Sequence, residues 1–347
     1  MSRAIMVEIS DPQRIFRAGE VVRGVVRVEV EKATRCDGLT ISLICRTHGR
    51  GNIARDQYAV IQAFKGDWTP GAYGYPFEFI LPGGPVTYRG HLLNVEWGVH
   101  ATADVPWALD PQDTQDLVLL AAPTHAAPRP ASLSLSSDAS GKLKLFFSAM
   151  LISIFALAGL TPGIIGAVNG QPLGIAMSAF ILVMLAAITA FTLRSAIASR
   201  RLGEVTMELE HDVVMPGEQV VCVVRFTPRS GGKLNVARFE LSADEIVVSG
   251  SGTDRRTHTN TLHQHAVEVA RDLQLSPGQP VEGRALLAIP QGAQPSIDLR
   301  DNDLRWRVSC QLDIPGWPDW AGQRAVWVLP LGSAPPERAP AAGSGAW

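Results

Sequence analysis

The sequence predicts an all-β chain of two sandwiches, the second a copy of the first, with an inserted two-helix transmembrane hairpin. Three observations predict it. Apolar residues alternate with polar ones through both halves, an ordered set of landmarks in the first half returns in the second, and Leu145 to Leu193 contains no Asp, Glu, Lys or Arg. Period two argues for strands with one packed and one wet face, and recurrence of the landmarks argues for duplication.

The first sandwich is expected over residues 1–120. "EVVRGVVRVEVE" places Val22, Val26, Val28 and Val30 on one face and Arg23, Arg27 and Glu29 on the other. "LTISLIC" and "LNVEWGV" alternate in the same way through Leu39, Ile41, Leu43 and Cys45, then Leu93, Val95, Trp97 and Val99. "YPFEFILPGGPVTYRG" reads as a core strand stopped at Pro82, because proline cannot donate to the next ladder position. Its glycines permit the turn that follows.

Residues 121–142, rich in Pro, Ala and Ser, read as a linker. Residues 143–201 read as the hairpin, with spans at 145–168 and 173–193. The second span as a helix would rise roughly 31 Å, about one hydrocarbon thickness; the alternative is a buried pair of core helices. Lys142, Lys144, Arg194, Arg200 and Arg201 flank the spans, and the intervening turn has no basic residue. The positive-inside rule then predicts an integral protein of the inner (cytoplasmic) membrane, with both termini and both sandwiches cytoplasmic and residues 145–193 in the bilayer. The opening "MSRAIMVEIS" predicts no cleavable signal peptide.

The second sandwich is expected over 203–331, followed by a disordered tail at 332–347. Gly19-Glu20 returns as Gly217-Glu218, Pro70-Gly71 as Pro277-Gly278, and Leu81-Pro82 as Ile289-Pro290. Trp97 before Asp104-Val105-Pro106 returns as Trp306 before Asp313-Ile314-Pro315.

These landmarks carry a resemblance. A Gly-Glu-x-Val strand (Gly19 to Val22), a Phe-x-Phe-x-Leu-Pro strand end (Phe77 to Pro82) and Pro85-x-x-Tyr88-x-Gly90 before Trp97 resemble the arrestin N-terminal domain. The second copy is similar to an arrestin C-terminal domain but lacks the Tyr-x-Gly. The resemblance implies a bacterial-type member of the arrestin-like family with immunoglobulin-like sandwiches; the hairpin, where soluble arrestins have a short hinge, would make it a membrane-inserted one. It extends to the group that includes bacterial sporulation-control proteins and the arrestin-like retromer subunit. It implies adaptors and scaffolds rather than enzymes.

A formal charge of −2 gives no global attraction to nucleic acid. Cys36, Cys45, Cys222 and Cys310 form no CxxC, so no disulfide framework is expected. His263 and His265 share a strand face but bring no further ligand for Zn²⁺, with His258 near them in sequence. "DLRDND" (298–303) lacks the spacing of a Ca²⁺ loop and reads as an Asx-rich turn. Trp107, Trp317 and Trp320 follow the repeated Asp-x-Pro and are expected to cover the open sandwich ends, the alternative being contact with a bilayer surface. Gly-x-Ser-x-Gly, P-loop and HExxH motifs are all missing from the sequence. Glu20 and Glu218, matched across the repeat, are expected to serve the fold.

The expected sites are therefore none: no catalytic, cofactor or metal residue. The expected function is a membrane-anchored, non-catalytic scaffold or adaptor for a protein partner. The alternatives are a structural or transport-related homo-oligomeric membrane assembly, or a ligand or metal sensor in the second sandwich.

Overall fold

The computed structural model describes residues 4–107, 109–123, 172, 176, 178–184, 202–316 and 319–334. The first half folds as β1 (Ala4–Ile9), β2 (Ile15–Arg17), β3 (Val21–Val30), β4 (Thr34–Gly49), β5 (Ala54–Trp68), β6 (Gly71–Ile80), β7 (Tyr88–Arg89), β8 (Leu93–Asp104) and β9 (Gln112–Leu120). One sheet runs β1-β3-β6; the other runs β2-β9-β8-β4-β5, with β7 beside β8. The second half repeats this as β10 (Val205–Leu209), β11 (Val213–Val214), β12 (Gln219–Phe226), β13 (Gly232–Ser249), β14 (Arg256–Leu275), β15 (Val281–Ala288), β16 (Ile297–Leu299), β17 (Asn302–Asp313) and β18 (Trp320–Val328). Its sheets run β10-β12-β15 and β11-β18-β17-β13-β14, with β16 beside β17.

The alternation has its expected consequence. Val22, Val26, Val28 and Val30 are buried from one sheet, and Leu39, Ile41, Leu43, Trp97 and Val99 from the other. The same positions in the second half are Val220, Val224 and Phe226 against Phe239, Leu241, Trp306 and Val308. Burying side chains of this size contributes about 1.5–3 kcal/mol each relative to exposure.

The repeated landmarks hold the strand ends together. Gly19 N donates to Leu81 O and Leu81 N to Glu20 O; Gly217 N donates to Ile289 O and Ile289 N to Glu218 O. The Glu20 carboxylate accepts Arg17 N at 2.7 Å and that of Glu218 accepts Met215 N at 2.8 Å. Trp97 Nε1 donates to Pro85 O and Trp306 Nε1 to Gln294 O. The abrupt stop at Pro82 is therefore a strand end tied back to the Gly-Glu turn, with the following loop pinned by the core tryptophan.

The inserted two-helix transmembrane hairpin is corrected. Among the described residues no helix is long and apolar enough to cross a membrane. A span needs about 20 helical residues, and the longest described helical run between the sandwiches is 178–184. The rest of the spans expected at 145–168 and 173–193 lies outside the described residues. The fold class becomes an all-β chain of two sandwiches, and the integral inner-membrane placement of residues 145–193 is withdrawn with the hairpin. Most of the linker at 121–142 and of the tail at 332–347 also lies outside the described residues.

Candidate functional site

The two sandwiches pack on each other end to end, and buried polar side chains at that junction hydrogen-bond across it. Strand pairing explains which segments meet. Trp97 stands opposite Cys45 and Trp306 opposite Ala243, so Thr47 on β4 corresponds to Glu245 on β13, and Leu93 to Asn302. Thr47, Glu245 and Asn302 each bond across to the other sandwich.

Glu245 is fully buried. Its Oε1 accepts the Tyr88 hydroxyl at 2.7 Å and His91 N at 3.0 Å. Its Oε2 accepts Leu92 N at 3.0 Å and Asn260 Nδ2 at 3.1 Å. All four donors are uncharged, and together they satisfy both oxygens of a side chain cut off from water. Burial, together with the hydrogen bond to Glu245, raises the Tyr88 hydroxyl well above its ordinary pKa. Gly90 is dictated by this approach: a Cβ there would collide with Glu245 Oε1. The Tyr-x-Gly of the first copy is thus one half of an inter-sandwich latch, and the second copy carries Ile297 in the place of Tyr88.

The reciprocal half uses Asn302, also buried. Its Nδ2 lies 3.1 Å from Thr47 Oγ1, 2.9 Å from Asn52 O and 3.0 Å from Arg300 O. Asn52 extends the contact as a strand would: its N donates to Val248 O, and its side-chain amide donates to Gly250 O and accepts Gly250 N. Asp301 accepts Asn52 Nδ2 at 3.1 Å and pairs with Arg255 at 2.6 Å.

The residues singled out in the sequence fall elsewhere or take other roles. His263 lies half-buried against the Trp306 ring, 5.6 Å between centroids, and its Nε2 has no hydrogen-bond partner in the structure. His265 is exposed, and His258 Nε2 lies 3.0 Å from Ser249 Oγ. Among the described residues no three His, Cys, Asp or Glu are placed to hold a metal. "DLRDND" is the β16–β17 hairpin that carries Asn302 and Asp301 into the junction. Trp320 packs on the core as a cover, but Trp107 is fully exposed in a left-handed conformation, φ 62°; Trp317 lies outside the described residues.

All four cysteines are free and buried, and burial pushes the thiols of Cys45, Cys222 and Cys310 up to about 12. Glu245, Thr47 and Asn52 were not singled out by the sequence, and Asn302 only as part of the 298–303 turn. One signal was available for the first: "SADEIVV" sets two acids inside an apolar strand.

No family model matches the chain, and no curated protein matches it. Among solved structures it is similar to the sporulation control protein Spo0M of Bacillus subtilis, at 19% identity, over 36% of this chain and 49% of that one, with a TM-score of 0.30. The chain thus spans about half the length of that protein. A score this low carries no weight, and the architecture rests on the strand pairing itself.

Proposed function

We propose that the chain is a non-catalytic scaffold or adaptor that holds a protein partner across both sandwiches as one body. The observation that supports it is the junction. Glu245 and Asn302 lock the two six-stranded sheets into a single frame, and each sheet ends in a long edge strand, β5 and β14. An edge strand presents a row of unpaired backbone groups, to which an extended peptide adds by main-chain hydrogen bonding. Bulges at Leu262 and Val269 interrupt the β14 edge, which leaves Arg256–Thr261, next to the junction, as a regular six-residue template. The arrestin-like pattern of Gly19 to Val22, Phe77 to Pro82 and Pro85 to Gly90 favours the same reading by resemblance to a group of adaptors.

The test is site-specific photo-crosslinking in the full chain from Thr259 on the β14 edge, with Glu78 on the far sheet as the control position. A discrete partner protein captured from Thr259 and not from Glu78 supports the adaptor. Chain-to-chain adducts alone would replace it with a homo-oligomer, and no adduct from either position would remove the edge as a binding surface.

A further inference from the structure

Asp298 on β16 and Asp303 on β17 stand directly opposite each other in the antiparallel pair that carries the junction hairpin. Cross-strand side chains at such positions have Cβ atoms about 4.5–5.5 Å apart, and like charges there are destabilising. The first sandwich avoids this, placing Arg89 opposite Asn94. Asp303 is only 8% exposed. The groups facing it are Arg305 on its own strand, at 2.7 Å, Asp298 on β16, and the uncharged Ile246 on β13. One turn beyond the pair, Asp301 O accepts Val248 N, while Asp301 and Asn302 bind Asn52 and Thr47 of the first sandwich.

We propose that this carboxylate pair makes closure of the sandwich junction depend on pH. With one proton between them, Asp298 and Asp303 are joined by a hydrogen bond and the hairpin keeps its register. When that proton leaves to solvent, two like charges face each other across the hairpin base, and the Asn302 and Asp301 bonds to the first sandwich loosen. Burial lifts the Asp303 carboxyl to about 6, with Arg305 opposing and Asp298 adding to the rise. The exchange therefore falls within an ordinary working range.

The test is hydrogen exchange of the full chain at pH 5 and pH 7.5, corrected for intrinsic rates, followed at the Val248 and Asn52 amides, with Val26 in β3 as the reference. Protection at the junction should fall at least about tenfold with rising pH, the reference staying constant, and Asp298→Asn should abolish the dependence. That variant keeps the imidazoles of His91 and His258, so a histidine effect would survive in it. Unchanged protection in the wild type, or the same fall in the variant, overturns the proposal. Should the variant not fold, a carboxyl-carbon NMR titration of the wild type decides. A midpoint near 6 at the pair supports the device, and ordinary carboxylate midpoints for both residues overturn it.

Discussion

The Tyr88 hydroxyl donates to Glu245 Oε1 at 2.7 Å, joining two side chains 157 residues apart and belonging to different sandwiches. Neither group reaches solvent freely. Tyr88→Phe leaves Glu245 with fewer donors and should cost about 1–3 kcal/mol, whereas Glu245→Ala strands the hydroxyl and two backbone N–H groups and should cost about 3–5 kcal/mol. Urea denaturation of both variants checks the order. Glu245→Ala should also separate one unfolding transition into two, because the junction it opens couples the sandwiches.

Gly90 and Gly292 form a matched comparison. A Cβ at Gly90 meets Glu245 Oε1 and the Tyr88 ring, whereas one at Gly292 meets nothing within 4 Å. Gly90→Ala should destabilise by about 2–3 kcal/mol and Gly292→Ala by no more than about 0.5 kcal/mol. Thermal unfolding of the pair measures the difference.

Much of the fold was legible, and these two predictions show where legibility stopped. Trp97 and Trp306, Glu20 and Glu218, and the Leu-Pro strand ends are local patterns repeated in order, and the structure places each pair alike. Tyr88-x-Gly90 was visible as a motif, but its partner was not. Three of the four donors to Glu245 are the Tyr88 hydroxyl and the backbone N–H groups of His91 and Leu92, and a backbone N–H leaves no mark in sequence. The reciprocal contact of Asn302 with Asn52 O is hidden for the same reason. The uncharged run from Leu145 predicted two spans, and no helix among the described residues is long and apolar enough to be one.

Trp107 occupies a left-handed position where the second copy has Gly316, φ 71°. Left-handed backbone costs an ordinary residue about 1–2 kcal/mol, partly offset by the greater chain entropy of glycine. Trp107→Gly should therefore stabilise by up to about 1 kcal/mol in chemical denaturation. Loss of a solvent-exposed indole should also reduce the red-shifted component of the native emission.

The Asp303 carboxyl is raised to about 6 from an ordinary 3.8 by burial. The folded chain then holds this proton more tightly than the unfolded chain. Its contribution to stability is full below about 4 and is lost as pH rises through 6, a swing of about 3 kcal/mol. Asp303→Asn should flatten that part of the stability–pH curve, measured by denaturation between pH 4 and 7.5.

Cys45, Cys222 and Cys310 are buried with thiols raised to about 12, and Cys36 is buried with its thiol raised as well. The thiolate is the reactive form. The native chain should release no colour from Ellman's reagent at pH 8 within minutes, and all four thiols should react in denaturant.

The junction has the geometry of a twofold dimer but not its chemistry. Thr47 and Glu245 occupy one equivalent place, Leu93 and Asn302 another, and the unlike pairing gives Asn302 its Thr47 and Glu245 its Tyr88. A sandwich of the first kind meeting its own kind would bring Thr47 against Leu93, with no amide to bind it. One of the second kind would bring Glu245 against Ile297, with no phenol to donate. Duplication has therefore left two complementary halves, plug and socket, and each accepts only the other. With both halves on one polypeptide, each socket is filled by the plug of its own chain, and the face is used up inside the molecule.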